Sequence, residues 1–143
     1  MEERGACMTA KEYLMQVIHI DRRINTKLEQ LESLRVEATK ANNVISGMPR
    51  SDSPNHQAMA DTVVKIVDLE VMINRDIDQL IDLKASSRLA INALADPEHQ
   101  LVLEMRYLCQ KSWEDIAQAM GYGQSNIYRL HGIALKNFVV PES

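Results

Sequence analysis

Apolar residues recur every three or four positions along the first two thirds of the chain, in two stretches that neither glycine nor proline interrupts. One stretch lies between Gly5 and Gly47, and the other lies between Pro54 and Pro97. This spacing indicates α-helix, and both stretches are far too long for strands. The pattern therefore predicts two long helices.

The first helix is predicted to begin at Thr9 and to end near Ser46. Thr9 and Glu12 have the spacing of a capping box, in which the hydroxyl and the carboxylate satisfy amides at the start of a helix. One face then follows coiled-coil spacing and includes a single polar position, Lys27. That face consists of Ala10, Tyr13, Val17, Ile20, Ile24, Lys27, Leu31, Leu34, Ala38, Ala41, Ile45 and Met48. Because such a helix would be about 55 Å long, it needs a partner of similar length.

The second helix is predicted to begin at Ser53-Pro54, with the proline in its first turn. Its main face carries Met59, Val63, Ile66, Leu69, Ile73, Ile77 and Leu80, and further apolar residues widen it: Val64, Val67, Val71, Met72 and Ile81. The short connector predicts an antiparallel hairpin over residues 9–95. The surplus apolar surface predicts a homodimer through these residues. A monomeric stalk whose extra valines pack on the C-terminal module is the alternative.

The last third of the chain predicts a small helical module at residues 96–139, followed by a tail at 140–143. Asp96 and Pro97 mark the start of a helix that ends near Gln110, and Ser112 caps the next helix. The last helix is predicted to run from Gln124 to about Val139. Residues 1–8 are expected to be flexible. The predicted fold is thus all-α, with a long antiparallel helical hairpin and a small C-terminal domain.

Residues 113–130 have the spacing of a helix-turn-helix. Ala117 is small where two helices would cross, and Gly121, four residues later, tolerates the positive φ of a sharp reversal. The apolar residues between the helices stand at Ile116, Met120, Tyr122, Ile127 and Leu130. Trp113 is interpreted as an anchor of the module's core, with stacking on a base or sugar as the alternative. His131 is interpreted as a core or interface histidine and not as a metal ligand.

The predicted outer face of the last helix has the chemistry of DNA recognition. A step of 100° per residue places Ser125, Arg129, Gly132 and Lys136 opposite the buried stripe, with Asn126 and Tyr128 beside them. Arg129 suits guanine, and Gln124 or Asn126 suits adenine. Ser125, Lys136 and Lys111 suit phosphates. The candidate contacts to double-stranded DNA are therefore Lys111, Gln124, Ser125, Asn126, Tyr128, Arg129 and Lys136.

Charge limits how the module could bind DNA. The chain has a net charge of −4. From Asp96 onward, four basic residues face six acidic residues. Binding by bulk positive charge is therefore excluded, and a single module would have weak non-specific affinity. Two modules joined in a dimer would gain affinity through effective concentration.

The sequence gives little support for catalysis, a metal or a membrane. Histidines at positions 19, 56, 99 and 131 are scattered, and no glycine-rich phosphate loop occurs. The acidic pair Asp76 and Asp78 is interpreted as a solvated face. We expect no enzymatic activity, no cofactor, no metal and no membrane span. Cys7 and Cys109 are expected to be free thiols in a reducing cytoplasm.

Part of the chain resembles the sigma-factor domain that recognises the −35 promoter element. The resemblance covers about Leu94 to Phe138 and rests on these segments: Asp96-Pro97-Glu98, Leu103-Glu-Met-Arg-Tyr-Leu108, Ser112-Trp-Glu-Asp-Ile-Ala117, Met120-Gly-Tyr122, Ile127-Tyr-Arg-Leu-His131 and Ala134-Leu135. More closely, it is similar to small phage and prophage regulators of the RinA and ArpU type, which carry such a domain behind a helical arm. Gly123 departs from the Ser or Thr often found before the recognition helix.

The resemblance implies sequence-specific DNA binding that activates phage late or packaging genes, with recognition by residues 124–129. Bacterial RNA polymerase is a second candidate partner. Two alternatives stay open: a DNA-packaging protein similar to the small subunit of phage terminase, and a sigma-like interaction module that binds polymerase or another regulator. The negative charge of the module keeps the second alternative open.

Overall fold

The computed structural model describes the backbone of residues 8–47 and 54–142 and the side chains of residues 8–40 and 57–142. In these residues the chain is all-α, as predicted, with five α-helices and no strand. They are α1 (Ala10–Gly47), α2 (Pro54–Asn92), α3 (Pro97–Leu103), α4 (Trp113–Met120) and α5 (Gln124–Asn137), and a π-helical turn at Glu104–Leu108 continues α3. The predictions for residues 1–7, for the cap at Ser53 and for the seam positions Ala41, Ile45 and Met48 lie outside the described part.

Helix α1 begins with the predicted capping box. The Glu12 amide donates to Thr9 Oγ1 at 3.1 Å, and the Thr9 amide donates to Glu12 Oε1 at 3.0 Å. Two donors that a helix start leaves unpaired are thereby satisfied reciprocally. The capping box therefore fixes the helix start where the sequence predicts it.

Residues 22–79 form one of two compact units of the chain. Within it α1 and α2 run antiparallel, since Arg23 pairs with Asp76 at 3.0 Å and Arg35 pairs with Glu70 at 2.8 Å. The side chains buried in this unit are Ile24, Leu31, Leu69, Ile73 and Asp76. The antiparallel pairing predicted from the short connector between the two long helices is therefore present in this unit.

The structure corrects the predicted apolar face of α2. Ile77 and Val63 are exposed, at 37% and 45%, whereas Asp76 is only 6% exposed. The face that contacts α1 in this unit, which we call the inner seam, consists of Ile66, Leu69, Ile73 and Asp76. The interpretation of Asp76 as a solvated acid is therefore wrong.

An ion pair explains why a carboxylate lies in the inner seam. Lys27, the one polar position of the predicted seam on α1, places Nζ 2.7 Å from Asp76 Oδ2. Arg23 donates to both carboxylate oxygens, at 3.1 and 3.0 Å. Hydrogen bonds from Arg23 and then Lys27 hold the pKa of Asp76 below its usual value. Lys27 and Asp76 thus neutralise each other's charge within a seam of apolar residues.

The second unit consists of residues 8–21 and 80–142 in the described part. Its core joins the predicted C-terminal module to both long helices, because Leu14, Ile18, Ile91 and Leu94 pack with the buried residues of the shorter helices. Those residues are Val102, Leu103, Tyr107, Ile116, Ala117, Ile127, Leu130, Ala134 and Phe138. The small module does not build its core alone.

Helix α3 and the segment after it show one feature that the sequence did not predict. Asp96 caps α3 as expected, since its Oδ1 accepts from the Glu98 amide at 2.9 Å. The α-helix ends at Leu103, and the π-helical turn carries the chain to Leu108, where the prediction had one α-helix to Gln110. Gln110 then adopts a φ of 55° and donates its side-chain amide to Asp21 at 3.0 Å.

Helix α5 ends two residues earlier than predicted. Its last residue is Asn137, and Phe138 is extended and buried, with its ring centroid 6.2 Å from that of Tyr13 on α1. The extended backbone at Phe138 ends the helix, and it allows the Phe138 ring to pack in the core. None of the described helices is long and apolar enough to cross a membrane.

The Lys27–Asp76 pair gives a test of the inner seam. Asp76→Leu should lower the free energy of unfolding by about 2 kcal/mol, because it leaves the Lys27 ammonium partly buried without its partner. The double variant Lys27→Leu with Asp76→Leu should return to within about 1 kcal/mol of the wild type. Urea denaturation measures both, with Asp82→Leu as an exposed control. A double variant that is no more stable than Asp76→Leu would contradict the pairing.

Candidate nucleic-acid interface

Helices α4 and α5 are joined by the sharp reversal that the helix-turn-helix spacing predicts. Gly121 has a φ of 75°, and its amide donates to Gln118 O at 3.3 Å. The Tyr122 amide donates to Ala117 O at 3.0 Å. These bonds satisfy carbonyls at the end of α4, and the left-handed φ is the conformation that glycine adopts without strain.

The wedge between α4 and α5 is filled by the predicted residues. Ile116, Ile127 and Leu130 are buried, and Met120 and Tyr122 are half-buried against the same core. Ser112 caps α4, since its Oγ accepts from the Asp115 amide at 3.1 Å. The prediction of a helix-turn-helix arrangement is therefore confirmed at the level of geometry.

A polar contact ties the turn to α3. The Tyr122 hydroxyl donates to the Glu98 carboxylate, and this hydrogen bond raises the pKa of Tyr122. Glu98 lies in the first turn of α3, next to the Asp96 cap. The contact therefore holds the end of the turn, directly before α5, against a second helix.

The first turn of α5 is open to solvent. Gly123 is the N-cap residue, and it supplies no side-chain acceptor. Gln124 and Ser125 are exposed, and Asn126 is half-buried. The prediction that the usual Ser or Thr cap is missing is correct, so the first amides of α5 have no side-chain partner from the cap position.

The predicted outer face of α5 is exposed along its length. Arg129, Gly132 and Lys136 all face solvent, and Tyr128 is 49% exposed. Arg129 Nη2 donates to Asn126 Oδ1 at 2.7 Å, one helical turn away. This bond holds the guanidinium over the first turn of α5, on its exposed face.

Trp113 packs edge-on against two aromatic side chains of α5 that lie under or beside its outer face. Trp113 at the start of α4 lies edge-on to Tyr128, with ring centroids 5.3 Å apart, and edge-on to His131, at 4.7 Å. The Arg106 guanidinium lies 4.3 Å from the centre of the Trp113 ring. Trp113 is therefore a packing anchor, as expected, and it positions Tyr128 on α5.

Arg106 is a positioning residue that the sequence reasoning missed. Besides covering Trp113, its Nη1 donates to the Lys111 carbonyl at 3.0 Å. This links the π-helical turn to the loop that carries Lys111, whose own side chain is exposed. The signal was available: Arg106 lies seven residues before Trp113, near the end of a helix that packs on the same core.

A buried hydrogen bond joins α5 to the π-helical turn. Tyr107 Oη and His131 Nε2 lie 2.7 Å apart. Burial raises the pKa of Tyr107 to about 12 and lowers the pKa of His131 to about 4. Both side chains are therefore neutral near pH 7, and the interpretation of His131 as a core histidine is correct.

Charge is unevenly distributed over this unit. Helix α5 contains Arg129 and Lys136 and no acidic residue. The acidic residues Glu98, Glu114 and Asp115 lie in the first turns of α3 and α4. The net negative charge of the C-terminal part thus comes from other segments than the candidate interface. In the described residues no group of three His, Cys, Asp or Glu side chains could hold a metal ion.

Comparison with known proteins identifies a family. The model of DUF1492, described as a protein of unknown function, matches residues 50–138, and the chain belongs to this family. The matched region contains α2 and all of the shorter helices. Neither the curated proteins nor the solved structures include a match to this chain.

Two glycines of the unit allow a matched test of the turn. Gly121→Ala should lower the free energy of unfolding by about 1–2 kcal/mol, because a Cβ is strained at its positive φ. Gly132→Ala should raise it by up to about 1 kcal/mol, since Gly132 is helical and a Cβ there meets nothing within 4 Å. Thermal or urea unfolding measures both. Equal effects of the same sign would contradict the left-handed turn.

The buried histidine predicts a pH dependence. The unfolded chain binds a proton at His131 near its ordinary pKa of 6.5, whereas the folded chain does so only near 4. The free energy of unfolding should therefore fall as the pH drops from about 6.5 to about 4, by up to about 3 kcal/mol. In His131→Gln the free energy of unfolding should not show this part of the pH dependence. Urea denaturation at several pH values measures it. The same slope in both proteins would refute the assignment.

Proposed function

We propose that this chain is a sequence-specific regulator of transcription that binds double-stranded DNA through α5. By its resemblance to RinA- and ArpU-type proteins, it would activate phage late or packaging genes in the cytoplasm of the host. It would act as a homodimer, and without catalysis or a cofactor. The reading residues would be Gln124, Asn126 and Arg129, with Ser125, Tyr128, Lys136 and Lys111 on the sugar-phosphate backbone.

The observation that carries this proposal is the exposed arginine on a correctly reversed helix. Ile127 and Leu130 are buried while Arg129 between them faces solvent. The bond from Arg129 to Asn126 joins two side chains of the kinds that read guanine and adenine. A helix that presents such groups from its first two turns has the geometry by which helix-turn-helix proteins enter the major groove.

The charge distribution supports the same proposal. The acidic segments of the unit disfavour tight non-specific binding, and the helix that would enter the groove carries Arg129 and Lys136 without an acidic residue. Weak binding by one module is compensated when two modules bind neighbouring half-sites together. Dimerisation is therefore part of the proposed mechanism.

Selection from a random duplex library with the full chain tests this function. The selected sequence should bind the wild type well above a scrambled duplex at the same salt concentration. Arg129→Ala should weaken the binding free energy for the selected sequence by about 1–3 kcal/mol, and it should relax the base preference at specific positions. Lys136→Ala should weaken binding to both duplexes alike and reduce the salt slope by about 1.

Arg88→Ala is the matched control, because Arg88 is an exposed arginine on α2. It should bind as the wild type does. The proposal fails if the library yields no preferred sequence, or if Arg129→Ala binds every duplex as tightly as Arg88→Ala does.

One observation favours a second candidate, the sigma-like interaction module. Glu114 and Asp115 are exposed in the first turn of α4, and their charge suits a basic protein surface. Bacterial RNA polymerase is the partner that the resemblance suggests. Binding of purified polymerase that is lost in Glu114→Lys and kept in Arg129→Ala would favour this candidate.

A further inference from the structure

Helix α2 carries a second coiled-coil seam that faces away from α1 within residues 22–79. Its members are Ala60, Val64, Val67, Val71, Asn74 and Asp78, separated by alternating steps of four and three. We call this set the outer seam. All six residues are exposed, and the three valines are exposed at 57%, 50% and 50%. At 100° per residue, Val71 lies about 160° round the helix from Ile73 of the inner seam.

A seam of this kind is suited to another long helix. Alternating three-and-four spacing keeps side chains on one line along a helix, so a single straight helix can cover all of them. Three consecutive valines in such a line form an apolar stripe that a monomer leaves in water. Met72, also exposed, lies off this line.

We propose that the outer seam binds the outer seam of a second copy of this chain, antiparallel, with the two-fold axis beside Leu69. In this register Val67 packs against Val71 of the second copy, and Val71 packs against its Val67. Val63 and Ile77 lie beside the seam and meet across the interface, which explains why both are exposed in one chain. The inference deepens the proposed function, because it names the surface that joins two DNA-binding modules.

The charges at the flanks are complementary in this register. Asp61 and Arg75 are both exposed. In the proposed register Asp61 of each copy lies next to Arg75 of the other copy, which gives two symmetric opposite-charge pairs. Sliding the copies by one heptad towards the start of α2 would instead place Asp61 against Asp68. Sliding them the other way would place Val71 against Asn74 and Val67 against Asp78, so that neither central valine would face another valine, whereas the proposed register places only Val64 against Asn74.

A parallel arrangement would place two like charges within the seam itself. Parallel copies in register would place each seam residue opposite itself, so that Asp78 faces Asp78. The antiparallel register places Asp78 opposite Ala60 at the end of the seam. Glu70 of one copy lies near Glu70 of the second copy at the two-fold axis, but each carboxylate is already bonded to Arg35 of its own chain at 2.8 Å. Asp68 of one copy also lies near Asp68 of the second copy, and this pair is the remaining like-charge contact.

The experiment measures dimerisation of the full chain by sedimentation equilibrium in the absence of DNA. The wild type should be a dimer at micromolar concentration. Asp61→Arg and Arg75→Asp should each raise the dimer dissociation constant about tenfold, since each turns two attractive pairs into repulsive ones. The double variant that carries both changes should return to within about twofold of the wild type, because it restores the opposite charges. Asp68→Asn should tighten the dimer.

A pair of glutamates tests the apolar part of the seam. Val67→Glu together with Val71→Glu should give a monomer, and glutamate suits an exposed helix better than valine does, so the fold should be retained in circular dichroism. Met72→Glu is the control, and it should remain a dimer. A monomeric wild type, a charge exchange that restores nothing, or equal disruption by Met72→Glu would each overturn the proposal.

The two proposals can fail separately. If the outer seam is right and the DNA function is wrong, the oligomeric states change as stated while no duplex is preferred. If the DNA function is right and the seam is wrong, the selected duplex is bound in an Arg129-dependent way while the glutamate pair leaves the oligomeric state unchanged.

Discussion

The reversal of the chain at Gly121 is the constraint on which the candidate interface depends. A left-handed residue there turns α5 back across α4, and the burial of Ile127 and Leu130 then fixes the rotation of α5 about its own axis. Once that rotation is fixed, Arg129 has no position other than the surface. A helix with a different rotation would bury the arginine and expose leucine, at a cost that no nearby acidic group on α5 could offset.

The same core explains why the short helices are folded onto the long ones. Eight-residue and fourteen-residue helices are too short to be stable alone, and their stability comes from packing. Leu14 and Ile91 supply part of the apolar surface that the module lacks. The neutral Tyr107–His131 pair adds a hydrogen bond in that core without introducing a buried charge. The candidate interface is thus rigid because its support extends beyond the segment that carries it.

Helix α2 has a different role on each of its two faces. The inner seam uses Asp76 to pair with Lys27 and Arg23, which specifies the alignment of α1 against α2, since any slip would leave a buried charge unpaired. The outer seam is apolar in its centre and charged at its flanks. One face of α2 is thus paired with α1 within residues 22–79, and the other carries an exposed apolar stripe.

The sequence by itself determined the order of the helices, the caps at Thr9, Asp96 and Ser112, the turn at Gly121 and the outward position of Arg129. These follow from local propensity and from periodicity within one helix. The sequence did not determine which face of α2 packs on α1: Ile77 and Asp76 are adjacent, and only the position of Lys27 on the facing helix shows that the carboxylate lies inward. The π-helical turn, the place of Arg106 over Trp113 and the early end of α5 at Phe138 were likewise decided by tertiary contacts. Lys27 and Asp76, and likewise Tyr13 and Phe138, are distant in the sequence, so no local pattern could specify those contacts. Arg106 and Trp113 are seven residues apart, but the π-helical turn and the loop after it separate them.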